Sequence, residues 1–182
     1  MGLFRTIILA LAGAGALATS ASAAGEDDWP TIKSARLNDQ RPWGAFALYR
    51  APDARATGVT LYLRGSMDDH EMIARRVEMD SGDHAVISWA SSKTCANLIS
   101  ATVELEDLQV PRIEVPGAGR EPRQAAVALD ASSYFVWADD ARFSGGGHSA
   151  QIELRGVDGS PMAEWIDRTL GRLTGCWRTN LP

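Results

Sequence analysis

The chain has 182 residues and carries 23 acidic against 18 basic side chains, a formal charge of −5 at neutral pH. That acidity argues against nucleic acid or an anionic lipid surface as a main partner. The length left after an N-terminal leader suits one domain, large enough to bury a core without a metal, and no later segment is apolar enough to span a bilayer.

The leader is the first element. Arg5 precedes an apolar run from Thr6 to Ala18, and Ala21 and Ala23 stand at the spacing that signal peptidase reads. This is the pattern of a secretory signal peptide. The run is about 13 residues, short of the roughly 20 that a membrane anchor needs. Cleavage is expected after Ala23, with Ala24 as the alternative. Lys33 and Lys93 are the only lysines among many arginines, and alanine is abundant. That composition suggests a GC-rich bacterial genome, so the expected location is periplasmic or secreted. The chain divides into a signal peptide (1–23), an irregular polar lead-in (24–42) and a single α+β domain (43–182).

Trp43–Arg50 and Thr57–Gly65 are short, aromatic and β-branched, with a turn-rich linker between them, and read as a hairpin. Ser66–Asp83 is ambiguous. Ser66 and Asp69 could form a capping box for a helix, but Ile73, Arg75, Val77 and Met79 alternate as a strand, and a strand over Met72–Met79 is the preferred reading. His84–Ser91 is a further strand. Thr94–Leu108 reads as a helix, with Thr94 as cap and Cys95, Leu98, Thr102, Leu105 and Leu108 on one stripe. Three prolines break the next stretch into an extended connector with at most an edge strand at Arg112–Val115. Gln124–Asp130, Ser133–Asp139 and Ala150–Gly156 read as strands. The last element is a helix with Ser160 as N-cap, Pro161 in its first position and Gly175 as C-cap. Ser81–Ile99 and Gly145–Ile166 share a faint pattern of turn, histidine, strand and helix, which suggests two related units.

Cys95 and Cys176 are the only cysteines. In an exported chain they allow one pairing. Such a disulfide contributes about 4–5 kcal/mol in the chain-entropy model. Two unpaired buried thiols are the alternative. No Cys-x-x-Cys pair is present, which excludes a thiol oxidoreductase of that type.

Few residues look like chemistry. Ser144–Ala150 reads SGGGHSA. His148 could serve as base and Ser149 as nucleophile, with the glycines offering backbone N–H groups. A phosphate loop or a serine elbow needs a helix after the turn, and a strand follows instead, so the stretch reads as a hairpin connection. Asp68, Asp69, His70 and Glu71 could ligate a cation. The position that a zincin fills with a second histidine is Ala74, so the cluster reads as a solvated acidic turn. His84 is placed at a strand rim. Trp89, Trp137 and Trp165 are expected in the core, and Trp29, Trp43 and Trp177 at its edge.

The expected fold is α+β: an antiparallel sheet of about six to eight strands with two helices packed on one face, stapled by Cys95–Cys176. The expected function is a small periplasmic binding or protein-interaction module without legible catalytic residues, metal or cofactor. Its partner would be another envelope protein or a small ligand, with no stable membrane insertion after cleavage. Two rivals stand beside it: a small hydrolase using His148 or His84 with an Asp or Ser, and an inhibitor of an envelope enzyme.

Overall fold

A computed structural model describes residues 32–51, 53–66, 69–82, 84–108, 131–145 and 148–182; for 140–145, 148 and 149 it describes the backbone alone. The signal sequence, Trp29 and the strands expected at 112–115 and 124–130 lie outside the described residues.

Six strands form one antiparallel sheet: β1 (Gly44–Arg50), β2 (Arg55–Gly65), β3 (His70–Met79), β4 (Ala85–Ser91), β5 (Ser133–Gly145) and β6 (His148–Val157). Their order across the sheet is β4-β3-β2-β1-β5-β6. The first four run as a meander. The chain then leaves the β4 edge, forms α1 (Ala96–Val103), and returns on the far side of β1 as the β5–β6 hairpin before α2 (Pro161–Arg172). β2 and β3 pair directly out to Gly65 and His70, in line with the strand reading; Met67 and Asp68 lie outside the described residues. Gly65 sits there at φ 109, where an added Cβ would collide with the Asp69 carbonyl, so the turn requires glycine. Asp80 builds the next turn by accepting from Gly82 N (2.9 Å) and His84 N (3.2 Å). His84 therefore belongs to the turn, and β4 starts one residue later than its sequence pattern suggests.

The two faces of the sheet are covered differently. On the first, Phe46, Leu48, Val59, Leu61, Ala74, Ala90, Tyr134 and Val136 cluster with Leu98 of α1 and with Met162, Ala163, Trp165 and Ile166 of α2. Trp165 is fully buried, stacks edge-on against Phe46 at 5.1 Å and donates to Ala101 O of α1 at 3.1 Å. On the second face, Ile32 packs with Ala45, Ala47 and Trp137, and Leu37 packs with Tyr62, Ile73 and Trp89. The polar lead-in is thus a strap across the sheet. Leu37 and Gln40 exchange backbone hydrogen bonds around Asn38 and Asp39, whose φ values of 48 and 65 close a tight turn. Asn and Asp tolerate that left-handed region better than most residues.

α1 and α2 run antiparallel: Asn97 at the start of α1 donates to Arg172 O, while Glu104 past its end pairs with Arg168 and Arg172. Cys95 and Cys176 form the expected disulfide, with Cα atoms 5.7 Å apart. Two helix boundaries differ from the sequence reading. α1 begins after Cys95, because the Thr94 hydroxyl turns back to Ser91 O instead of capping. It also stops at Val103, since Glu104, Glu106 and Asp107 follow with no basic residue in its last turn, an unfavourable charge for a helix C-terminus. α2 has its Ser160 cap, accepting from Ala163 N, but ends with Leu173 in the right-handed region. Gly175 falls inside a 3-10 turn, Thr174–Cys176, that swings Cys176 toward Cys95. Beyond the disulfide, Arg178 exchanges two backbone hydrogen bonds with Trp89, both 2.8 Å, and so covers part of the β4 edge.

Candidate functional site

The residues singled out from the sequence are dispersed. His70 opens β3 and His84 lies in the turn beyond its other end, roughly 30 Å away at the rise of an extended strand. His148 opens β6 on the opposite edge of the sheet. The three histidines therefore do not converge. Gly145 at the end of β5 pairs with His148 at the start of β6, so the SGGGHSA stretch lies where these two strands meet; Gly146, Gly147 and the side chains of His148 and Ser149 lie outside the described residues. His84 faces Asp80 at 3.5 Å with both side chains open to water, a turn-making pair with no wall to hold a substrate.

One member of the acidic turn is elsewhere than expected. Asp69 and His70 are exposed, but Glu71 is buried on the second face, directly opposite Arg64 of β2. Arg64 donates to Glu71 Oε2 through Nη2 (2.6 Å) and Nε (3.2 Å), Ser91 donates to Oε1, and the Lys93 ammonium stands 3.9 Å away. The Ser91 hydrogen bond, followed by Arg64 and Lys93, holds the carboxyl below its ordinary value against the opposing effect of burial. The register of β3 causes the difference: the step from His70 to Glu71 turns the side chain from the rim onto the covered face.

Directly beside this closed ion network lies an open one. Tyr62 is one row further along β2, opposite Ile73; one row beyond, Arg75 stands between Thr60 and Trp89. Tyr62 and Arg75 are thus diagonal neighbours on one face, within reach of each other for long side chains. Leu37 of the strap covers Tyr62, Ile73 and Trp89, and the next residue back, Arg36, is exposed. Thr60 Oγ1 donates to Ile32 O at 3.0 Å, which ties the strap down. Gln40 donates to Leu63 O and holds its other end.

Beneath the strap two polar atoms have no hydrogen-bond partner: Tyr62 Oη, on a residue with no exposed surface, and Arg75 Nη1. Neither Arg75 nor Arg36 forms an ion pair with a carboxylate among the described residues. Burial pushes the Tyr62 phenol above its ordinary value, opposed by the Arg75 charge, the neighbouring Thr60 hydroxyl and the Arg36 charge, so at neutral pH the phenol keeps its proton. The phenol can both donate and accept, whereas the guanidinium only donates. Trp43 Nε1, Trp177 Nε1 and Thr169 Oγ1 are likewise buried without a partner, and an unpaired buried donor costs about 1–3 kcal/mol.

A concavity of about 510 Å³ opens between the end of α1 and the start of α2, with Leu108, Pro161 and Trp165 as apolar lining and Glu104, Asp107, Glu164 and Arg168 at its polar walls. Its main polar groups are already used: Trp165 Nε1 on Ala101 O, and Glu104 with Arg168 and Arg172. Among the described residues no group of three or more His, Cys, Asp or Glu side chains is placed to hold a metal ion.

Sequence reading missed Tyr62, Arg75 and Arg36. Arg75 had been noted only as part of the β3 alternation. The available signal was the pair Asn38-Asp39, which marks a tight turn in the lead-in and so a strap that bends back on itself. Comparison of the chain with protein-family models, curated proteins and solved structures found no match.

Proposed function

We propose that the protein is an exported binding module, not an enzyme, and that it binds through the strapped second face of its sheet. The observation that carries this reading is the pair of buried polar atoms without a hydrogen-bond partner, Tyr62 Oη and Arg75 Nη1, on the face that the strap covers. We read α1 and α2 as one layer closing the first face, which leaves the second for a ligand. Export is supported by the Cys95–Cys176 disulfide, a bond favoured in oxidising compartments. No helix among the described residues is long and apolar enough to cross a membrane.

Native mass spectrometry of the protein recovered from an envelope extract tests the reading. A bound species that leaves unchanged on denaturation is expected with the wild type and is lost in Arg75→Gln. Identical ligand-free spectra for both proteins would overturn it. Turnover of an extract component that stops in His84→Ala would instead establish the hydrolase.

A further inference from the structure

We infer that β6 is a self-association edge, through which two copies of the chain pair antiparallel about Leu154. The inference goes beyond the binding reading above and does not depend on it. Among the described residues β6 ends the sheet on one side, and no strand or tail pairs with its outer edge. On the other side the β4 edge is partly closed by the backbone of Arg178. An open edge is a template for another strand unless something blunts it. Along β6 the side chains alternate. Glu153 and Arg155 lie on the second face, opposite Trp137 and Phe135 of β5, and Ile152 and Leu154 lie on the first.

Charge complementarity selects the occupant. Charged side chains blunt an edge when like charges meet across it. Glu153 and Arg155 are opposite in sign, two positions apart, with side chains 38 % and 57 % exposed. In an antiparallel pair centred on Leu154, Glu153 of one copy stands opposite Arg155 of the other, and the twofold axis repeats the contact. Centring the pair one residue earlier sets Glu153 against Glu153, and one residue later Arg155 against Arg155, so charge favours a single register. That register also places Leu154 against its own copy and the exposed Ile152 against Gly156, which has no side chain to compete. Within one chain Glu153 meets Lys33 of the strap at 3.1 Å and Arg155 at 3.2 Å, and Arg155 lies over the Phe135 ring. Both charged groups stay more than a third open to water in this network, so a second copy extends it without uncovering a buried charge. Only one strand from each copy meets the other, so the area is small and the dimer belongs to the weak class that dissociates on dilution.

Sedimentation equilibrium of the full mature chain, from micromolar to millimolar concentration, tests the pairing. The wild type is expected to form dimers and nothing larger, and to dissociate as salt rises. Glu153→Arg and Arg155→Glu should each weaken dimerisation by roughly tenfold or more, because two attractive contacts per dimer become repulsive. Mixed in equal amounts, the two variants should associate at least as well as the wild type, since each supplies the charge that the other lacks. A role confined to one chain, on Lys33 or Phe135, gives no such recovery. Leu154→Cys supplies an arm that leaves the charges alone: on the axis it meets its own copy, and mild oxidation should yield a covalent dimer on a non-reducing gel. A wild type that stays monomeric at millimolar concentration overturns the proposal. Dimers that neither reversal weakens form through another face and overturn it too, as does a mixture of the two variants that remains monomeric. Open-ended assemblies would mean that β6 pairs with the β4 edge, and a dimer without the Leu154→Cys cross-link would refute the register.

Discussion

At the scale of single residues, Glu71 shows how a buried charge sets a stability limit. Replacing it by Gln keeps the shape but removes the charge that Arg64, Lys93 and Ser91 share. The expected loss at neutral pH is about 1.5–3 kcal/mol, the range for hydrogen bonds to charged groups. The sign with pH follows from its lowered folded-state value. The contribution is in full above the ordinary 4.5 of an unfolded Glu and is lost as pH falls through the lower folded-state value. Wild type and Glu71→Gln should therefore differ in urea midpoint at pH 7 and converge on acidification; a gap that widens below pH 4.5 would show that another carboxylate carries the acid sensitivity. None of this was legible in the sequence. Glu71 lies in a run of polar residues, and only the pairing of β2, β3 and β4 brings Arg64 and Ser91 to it. Tyr62 and Arg75 were hidden for the same reason: local alternation places a side chain on a face but not the face under a strap.

At the scale of elements, most strands and both helices could be read directly, because alternation and helical stripes are local signals. Boundaries were less legible, since they depend on partners. Thr94 has a good capping side chain, yet its hydroxyl is used by Ser91 O, whereas Ser160 caps as its sequence context indicates. Ser160→Ala should cost about 1 kcal/mol and Thr94→Ala distinctly less. Chemical denaturation of the two variants checks the ordering, and equal losses would contradict the cap assignment. The ambiguity over residues 66–79 was resolved by tertiary pairing. β3 is hydrogen-bonded on both sides, and that ladder outweighs a possible two-residue cap.

At the scale of the whole molecule, β3–β4–α1 and β5–β6–α2 are two hairpin-plus-helix units set on either side of the central β1–β2 pair. The faint repeat in the sequence covers the second strand and the helix of each unit. The disulfide links the start of one helix to the turn after the other, and so joins the two units. Replacing both cysteines by Ala should cost about 2–5 kcal/mol, lowering the melting temperature by several degrees in a thermal scan. Thiol titration of the denatured, unreduced wild type should find no free Cys. The topology also has a temporal consequence. Gly44–Tyr49 takes its second strand from Ser133–Ala138, far along the chain, while its first comes from the adjacent hairpin. During synthesis or translocation the four-strand meander can form early, but it then presents β1 as an unpaired edge until most of the chain has emerged. An open edge of that length invites pairing between nascent chains, and closing so distant a contact is slow. Folding order, more than final stability, is where this chain is most vulnerable to aggregation.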